Sequence, residues 1–148
     1  MRIINDVIEQ ISHDKQAKSS QLDELLNQEL GNILDSLLET TDDITAAIIS
    51  SVDGLSRAQR LTADMDEHRF AAMSGALLAL SDNLAKESKK GRSDNVLIEG
   101  SQGKIFILHA SPSLLLTVFT RQGAALGMSL AYARQATEEI SALVETID

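Results

Sequence analysis

The chain has 148 residues, the size of one ordinary domain, with 43% apolar and 24% charged residues, enough to bury a core and too apolar for a disordered chain. The absence of cysteine excludes disulfides and thiolate sites, and four aromatics (Phe70, Phe106, Phe119, Tyr132) are too few for the stacking platform of a single-strand nucleic-acid binder. A formal net charge of −9 sets most of the surface against a phosphate backbone, so no nucleic-acid partner is expected.

The first segment, residues 1–16, places Ile3, Ile4, Val7, Ile8 and Ile11 on one helical stripe opposite Asn5, Asp6, Glu9 and Ser12. A membrane-surface helix carries Lys and Arg on its polar face, and this one carries acids, so it is expected to pack on the domain or on a second copy. Gln16 to Ser20 is polar and is expected to interrupt the helix. A second helix is expected after Ser20, with Leu22, Leu25, Leu26, Leu30, Ile33, Leu34, Leu37 and Leu38 at helical spacing. No Lys or Arg occurs between Gln21 and Ser56, while eight acids do, which makes a solvated acidic face or a docking surface for a basic partner.

Ile44 to Ser50 is apolar on both alternation faces, the pattern of a strand covered on two sides. Asp53-Gly54 marks a tight turn, and Leu55 to Leu61, with Arg57, Gln59 and Arg60, reads as a polar edge strand. Asp64 and Asp66 open a helix predicted to run to about Lys90 and to stop at Gly91. It bears a bulky stripe (Phe70, Met73, Leu77, Leu80, Leu84) and a small-residue stripe (Ala72, Gly75, Ala76, Ala79). A helix with two apolar faces has two surfaces to pack against. Three strands follow, Val96–Gly100, Lys104–Ala110 and Leu114–Thr120, the last two apolar on both faces, separated by Gly100-Ser-Gln-Gly103 and Ser111-Pro-Ser113. Leu126 to Ile147 is a final amphipathic helix.

The predicted fold class is therefore α+β, a three-layer helix/sheet/helix sandwich around a five-stranded antiparallel sheet in the order α-β-β-α-β-β-β-α. Residues 1–20 are assigned to an N-terminal helical extension and linker, and 21–148 to the domain. No apolar run is long enough to span a bilayer and Arg2 alone precedes the first stripe, so a cytoplasmic protein without a membrane partner is expected.

Motifs for chemistry are missing from the sequence. His13, His68 and His109 have no metal-ligand spacing. Gly100-Ser-Gln-Gly-Lys104 superficially looks like a phosphate loop, but Ile105 follows the lysine and a strand follows the turn, so it reads as a hairpin. Ser74 and Ser129 lack the frame of a nucleophile elbow. The expectation is a non-enzymatic protein with no cofactor, no metal and no catalytic residue.

The order of segments resembles the Roadblock / dynein light chain family of the longin-like group. The resemblance rests on the acidic leucine helix, Ala46-Ala-Ile-Ile-Ser-Ser-Val-Asp-Gly54-Leu55, the stretch from Asp64 through Phe70-Ala-Ala72 to Leu77-Leu-Ala-Leu-Ser81, Val96-Leu-Ile-Glu99, Gly103-Lys-Ile-Phe-Ile-Leu108, and Leu126-Gly127. It implies one helix on one sheet face and two on the other, and a homodimer joined through the middle helices and third strands. It also implies a regulator or platform for a small Ras-like GTPase, of the bacterial type. Ala72, Gly75, Ala76, Ala79, Val96 and Ile98 are the expected dimer interface, and Met73, Leu80, Asp82 and Lys86 the expected partner-binding residues. The alternatives are a structural subunit of a larger signalling or motility assembly and a small-molecule sensor module.

Overall fold

The computed structural model describes residues 2–147, with side chains from Ala17 to Thr146. Helix α1 spans Arg2–Thr40, strand β1 Ile44–Ser51, β2 Ser56–Arg60, helix α2 Glu67–Glu87, β3 Asn95–Gly100, β4 Gly103–His109, β5 Leu114–Thr120 and helix α3 Leu126–Ile147. The expected order of elements is reproduced, with one correction at the start. Gln16 to Ser20 is helical, and α1 runs through it without interruption. Polarity alone does not stop a helix, and residues 1–30 contain neither Gly nor Pro to do so. The side chains of the Ile3–Ile11 stripe lie outside the described residues.

The strands form one antiparallel sheet in the order β2-β1-β5-β4-β3. Of the strands read as apolar on both faces, β1, β4 and β5, β5 sits between the other two, with Ala47 of β1 opposite Val118 and Ile49 opposite Leu116. The polar strand β2 forms one edge and the short β3 the other. Period-2 alternation then divides the core. Ala47, Ile49, Phe106, Leu108, Leu116 and Val118 meet Leu30, Leu34 and Leu37 of α1 and Ala133, Ala136 and Ile140 of α3. Ile107 and Leu115 point to the opposite face, where Leu78 of α2 covers them. The result is the predicted three-layer sandwich, two helices on one face and one on the other.

Two polar clasps fix the edges. Arg60 of β2 reaches Asp35 of α1 at 2.6 Å, and its guanidinium fills the space that a side chain at Gly31 would occupy. The hydrogen bond from Arg60 holds the Asp35 carboxyl below its usual range. Arg121, after β5, binds Asp43, before β1, at 2.7 Å. These pairs are largely exposed and serve registration more than stability.

The face under α2 is the less apolar one. Ser50 and Thr117 are buried there with hydroxyls that find no hydrogen-bond partner. A buried hydroxyl left unpaired costs about 1–3 kcal/mol. Thr117→Val is therefore expected to raise stability by about 1 kcal/mol, read as a higher denaturant midpoint. An unchanged or lower midpoint refutes the unpaired assignment.

Candidate functional site: the outer face of helix α2

Helix α2 starts where its cap dictates. Asp66 is extended (φ −89°, ψ 112°), and its carboxylate accepts hydrogen bonds from the backbone N–H groups of His68 (3.0 Å) and Arg69 (3.2 Å). The helix ends earlier than expected. Ser88 caps it, and Lys89, rather than Gly91, takes the first left-handed conformation (φ 60°) while the Lys90 N–H returns to the Ala85 carbonyl at 2.8 Å.

The inner face of α2 is made of small residues. Ala71, Ser74, Gly75 and Leu78 are buried. Gly75 lies against the β1–β2 turn of its own chain, where a Cβ would sit 3.1 Å from the Val52 carbonyl oxygen and 3.4 Å from the Gly54 backbone. Gly54 itself adopts φ +91°, a conformation that glycine takes without strain, and comes equally close to Ala72. The expected Asp53-Gly54 turn is thus present, and it is also the seat of α2. This corrects the reading of the small-residue stripe: Gly75 faces inward and is unavailable to another chain, whereas Ala72, Ala76 and Ala79 are exposed.

Most of the bulky stripe is also left open, except Phe70, which packs edge-on against Phe119 of β5 with ring centroids 5.5 Å apart. Met73 and Leu77 are exposed, and Leu80 and Leu84 are 67% and 71% exposed. At 100° per residue Leu77 and Leu84 fall on the flank turned away from Gly75 and the hairpin, with Leu80 on the outer ridge. Val96, Ile98 and Ile105, on the same face of the sheet as Leu78, are half-buried beside it. Leu77 and Leu84 were legible as members of a stripe but not as site residues, because helical spacing shows that two faces exist without showing which one the sheet takes.

Asp82 has less freedom than the sequence suggested. Its carboxylate meets His109 Nε2 of β4 at 3.0 Å, and the imidazole is largely buried. Next to it the hydroxyls of Ser81 and Ser93 are 2.7 Å apart. With Leu78 the last buried residue of α2, these two polar contacts hold its C-terminal half to the sheet. Asp82 is therefore a structural clasp first, while Lys86 is exposed. The cavity beneath, lined by Val52, Gly75, Leu78, Ala79, Asp82, His109 and Leu115, holds about 70 Å³, far below the size of a small-molecule pocket. A groove of about 600 Å³ between α1 and β2 is open and polar, and its arginines already bind Asn27 and Asp35. Among the described residues no group of three or more His, Cys, Asp or Glu is placed to hold a metal ion, and no helix is long and apolar enough to cross a membrane.

The arrangement as a whole is a sheet backed by two helices on one face, with a single helix on the other that presents bulky apolar side chains outward. The family model for the Roadblock/LC7 domain matches residues 30–120. This chain belongs to the Roadblock/LC7 family. An uncharacterized protein of Methanocaldococcus jannaschii is 28% identical to this Roadblock chain over 106 residues, covering 72% of this chain and 92% of its relative. MglB of Myxococcus xanthus superposes with a TM-score of 0.77 at 16% identity, over 82% of this chain and 92% of MglB. A Roadblock/LC7 domain from Streptomyces avermitilis superposes with a TM-score of 0.60 at 26% identity, over 74% and 96% of the two chains. The match between this Roadblock domain and the family model begins at Leu30, so the first three-quarters of α1 lies outside it.

Proposed function

We propose that this Roadblock protein is a cytoplasmic homodimer that docks on a small Ras-like GTPase and regulates it without a reaction centre of its own. The observation that carries the reading is the outward stripe of α2. A monomer leaving Met73, Leu77, Leu80 and Leu84 in water exposes the kind of contiguous apolar surface that marks an interface. The stripe borders β3, the short edge strand whose outer edge pairs with no strand among the described residues. A second copy related by a two-fold axis covers both at once, α2 beside α2 over a sheet continued through β3. On this reading Met73, Leu77, Leu84, Val96 and Ile98 form the dimer contact, and the outer ridge, Ala72, Ala76 and Leu80, with Lys86 on the flank next to Asp82, is left for the GTPase.

The test separates the two steps. Leu77→Glu with Leu84→Glu places four charges in a two-fold interface and is expected to break the α2 contact, read as a lower sedimenting mass, with a folded circular dichroism spectrum. Leu80→Glu with Lys86→Glu is expected to leave the dimer intact and to abolish capture of a Ras-like protein from lysate in the presence of a non-hydrolysable GTP analogue. A sedimenting mass unchanged by the first pair refutes the interface. Capture that survives the second refutes the docking ridge, and a dimer that captures no GTPase under any nucleotide condition favours a structural subunit.

A further inference from the structure

Helix α1 is longer than the domain needs. Its packing on the sheet begins at Leu26 and Leu30, while every residue from Ala17 to Leu25 is exposed, including Leu22 (55%) and Leu25 (58%). At about 1.5 Å per residue the stretch from Arg2 to Leu25 is about 36 Å long. Leu22 and Leu25 are thus left uncovered by the domain.

The sequence of that stretch carries a seam of its own. Ile4, Ile8, Ile11, Lys15, Lys18, Leu22 and Leu25 follow one another at intervals of 4, 3, 4, 3, 4 and 3, the a/d spacing of a two-stranded coiled coil. The seam is apolar at both ends and lysine in the middle. In a parallel, in-register pair, Asp14 holds the g position immediately before Lys15 and flanks the Lys15 of the second copy, so the charge at the weakest layer is met by an acid across the seam. Lysine at a seam position lowers affinity and sets register.

We infer that the N-terminal half of α1 is a second self-association element, pairing in parallel with the same helix of another copy. Its place in the fold gives it a consequence. Within the domain α1 packs on β1 and β2, at the edge of the sheet opposite to β3. The proposed dimer contact at α2 and β3 and the α1 seam therefore lie on opposite sides of the chain, and one pair of copies cannot satisfy both. Dimers are linked to further dimers, and the protein forms assemblies larger than two. The size of the assembly rests on the dimer reading above, whereas the α1 seam does not.

The protein has no cysteine, which makes single-cysteine reporters clean. Leu22→Cys is exposed at the seam, and under mild oxidation it is expected to give a disulfide-linked pair in high yield, also in the background of Leu77→Glu with Leu84→Glu. Sedimentation of the unaltered chain is expected to show species above the dimer. Leu22→Glu with Leu25→Glu returns them to the dimer, while Lys15→Leu with Lys18→Leu strengthens their association by about tenfold or more. Failure of Leu22→Cys to cross-link overturns the pairing, as does an assembly size indifferent to Leu22→Glu with Leu25→Glu. If Leu22→Cys in the background of Leu77→Glu with Leu84→Glu is monomeric and fails to cross-link, the seam is refuted with the dimer reading intact. If Leu22→Cys cross-links but the unaltered chain is never larger than a dimer, the seam stands and the α2 contact falls.

Discussion

Gly103→Ala is expected to be among the most damaging single-methyl changes in this protein. Gly103 opens β4 with φ +152°, and a Cβ there would lie 2.4 Å from the Thr120 carbonyl oxygen. The obstacle is backbone at the end of β5, where Thr120 Oγ1 also accepts a hydrogen bond from the Lys104 N–H at 2.9 Å. The β3–β4 hairpin must lift away from β5 or the strand end must shift. The expected cost is about 3 kcal/mol or more from combined backbone strain and overpacking. For a chain of this length that is a fall in Tm of about 10 °C. Because β3 is the edge proposed to pair with a second copy, the same variant is expected to weaken dimerisation. A thermal melt within a degree or two of the unaltered protein refutes the close approach.

Gly75→Leu is the second large effect, and its mechanism is the informative part. If Gly75 lay on an intermolecular surface, the substitution would separate subunits and leave the fold alone. Packed as it is against Val52 and Gly54, a leucine must displace the β1–β2 turn, at a cost of about 3 kcal/mol. Chemical denaturation of a background without the α2 contact, Leu77→Glu with Leu84→Glu, distinguishes the two. The loss is expected to appear there undiminished and independent of protein concentration. A loss seen only in the dimeric protein would return Gly75 to the interface.

The comparison of these two glycines shows what a sequence conveys and what it withholds. Gly103 was readable as a turn residue from Gly100-Ser-Gln-Gly103, and the absence of a following Ser or Thr and of a helix excluded a phosphate loop. Gly75 was readable as part of a small stripe, but small residues permit close approach to anything, and the approaching group proved to be the chain's own hairpin. The Asp82–His109 contact was not legible at all, since its members are 27 residues apart and each sits in a segment that reads normally without the other.

The sequence by itself determined the order and type of the elements, the burial of β1 and β5 on two faces, the polar edge at β2 and the lack of any recognised catalytic motif. These follow from local periodicity and turn chemistry, which the backbone obeys wherever the segment ends up. Only the tertiary structure decided which face of α2 meets the sheet: neither stripe does as a whole, since Ala71, Ser74, Gly75 and Leu78 are buried while Ala72, Ala76 and Ala79 are exposed, and at Gly75 the hairpin turn leaves no room for a larger side chain. It also decided that α1 is a single helix projecting beyond the domain. A polar stretch such as Gln16 to Ser20 is compatible with a linker or with a solvated helix, and with no Gly or Pro to break it the backbone hydrogen bonds continue through. Periodicity names the faces of an element, and the neighbours it meets across the sheet choose among them.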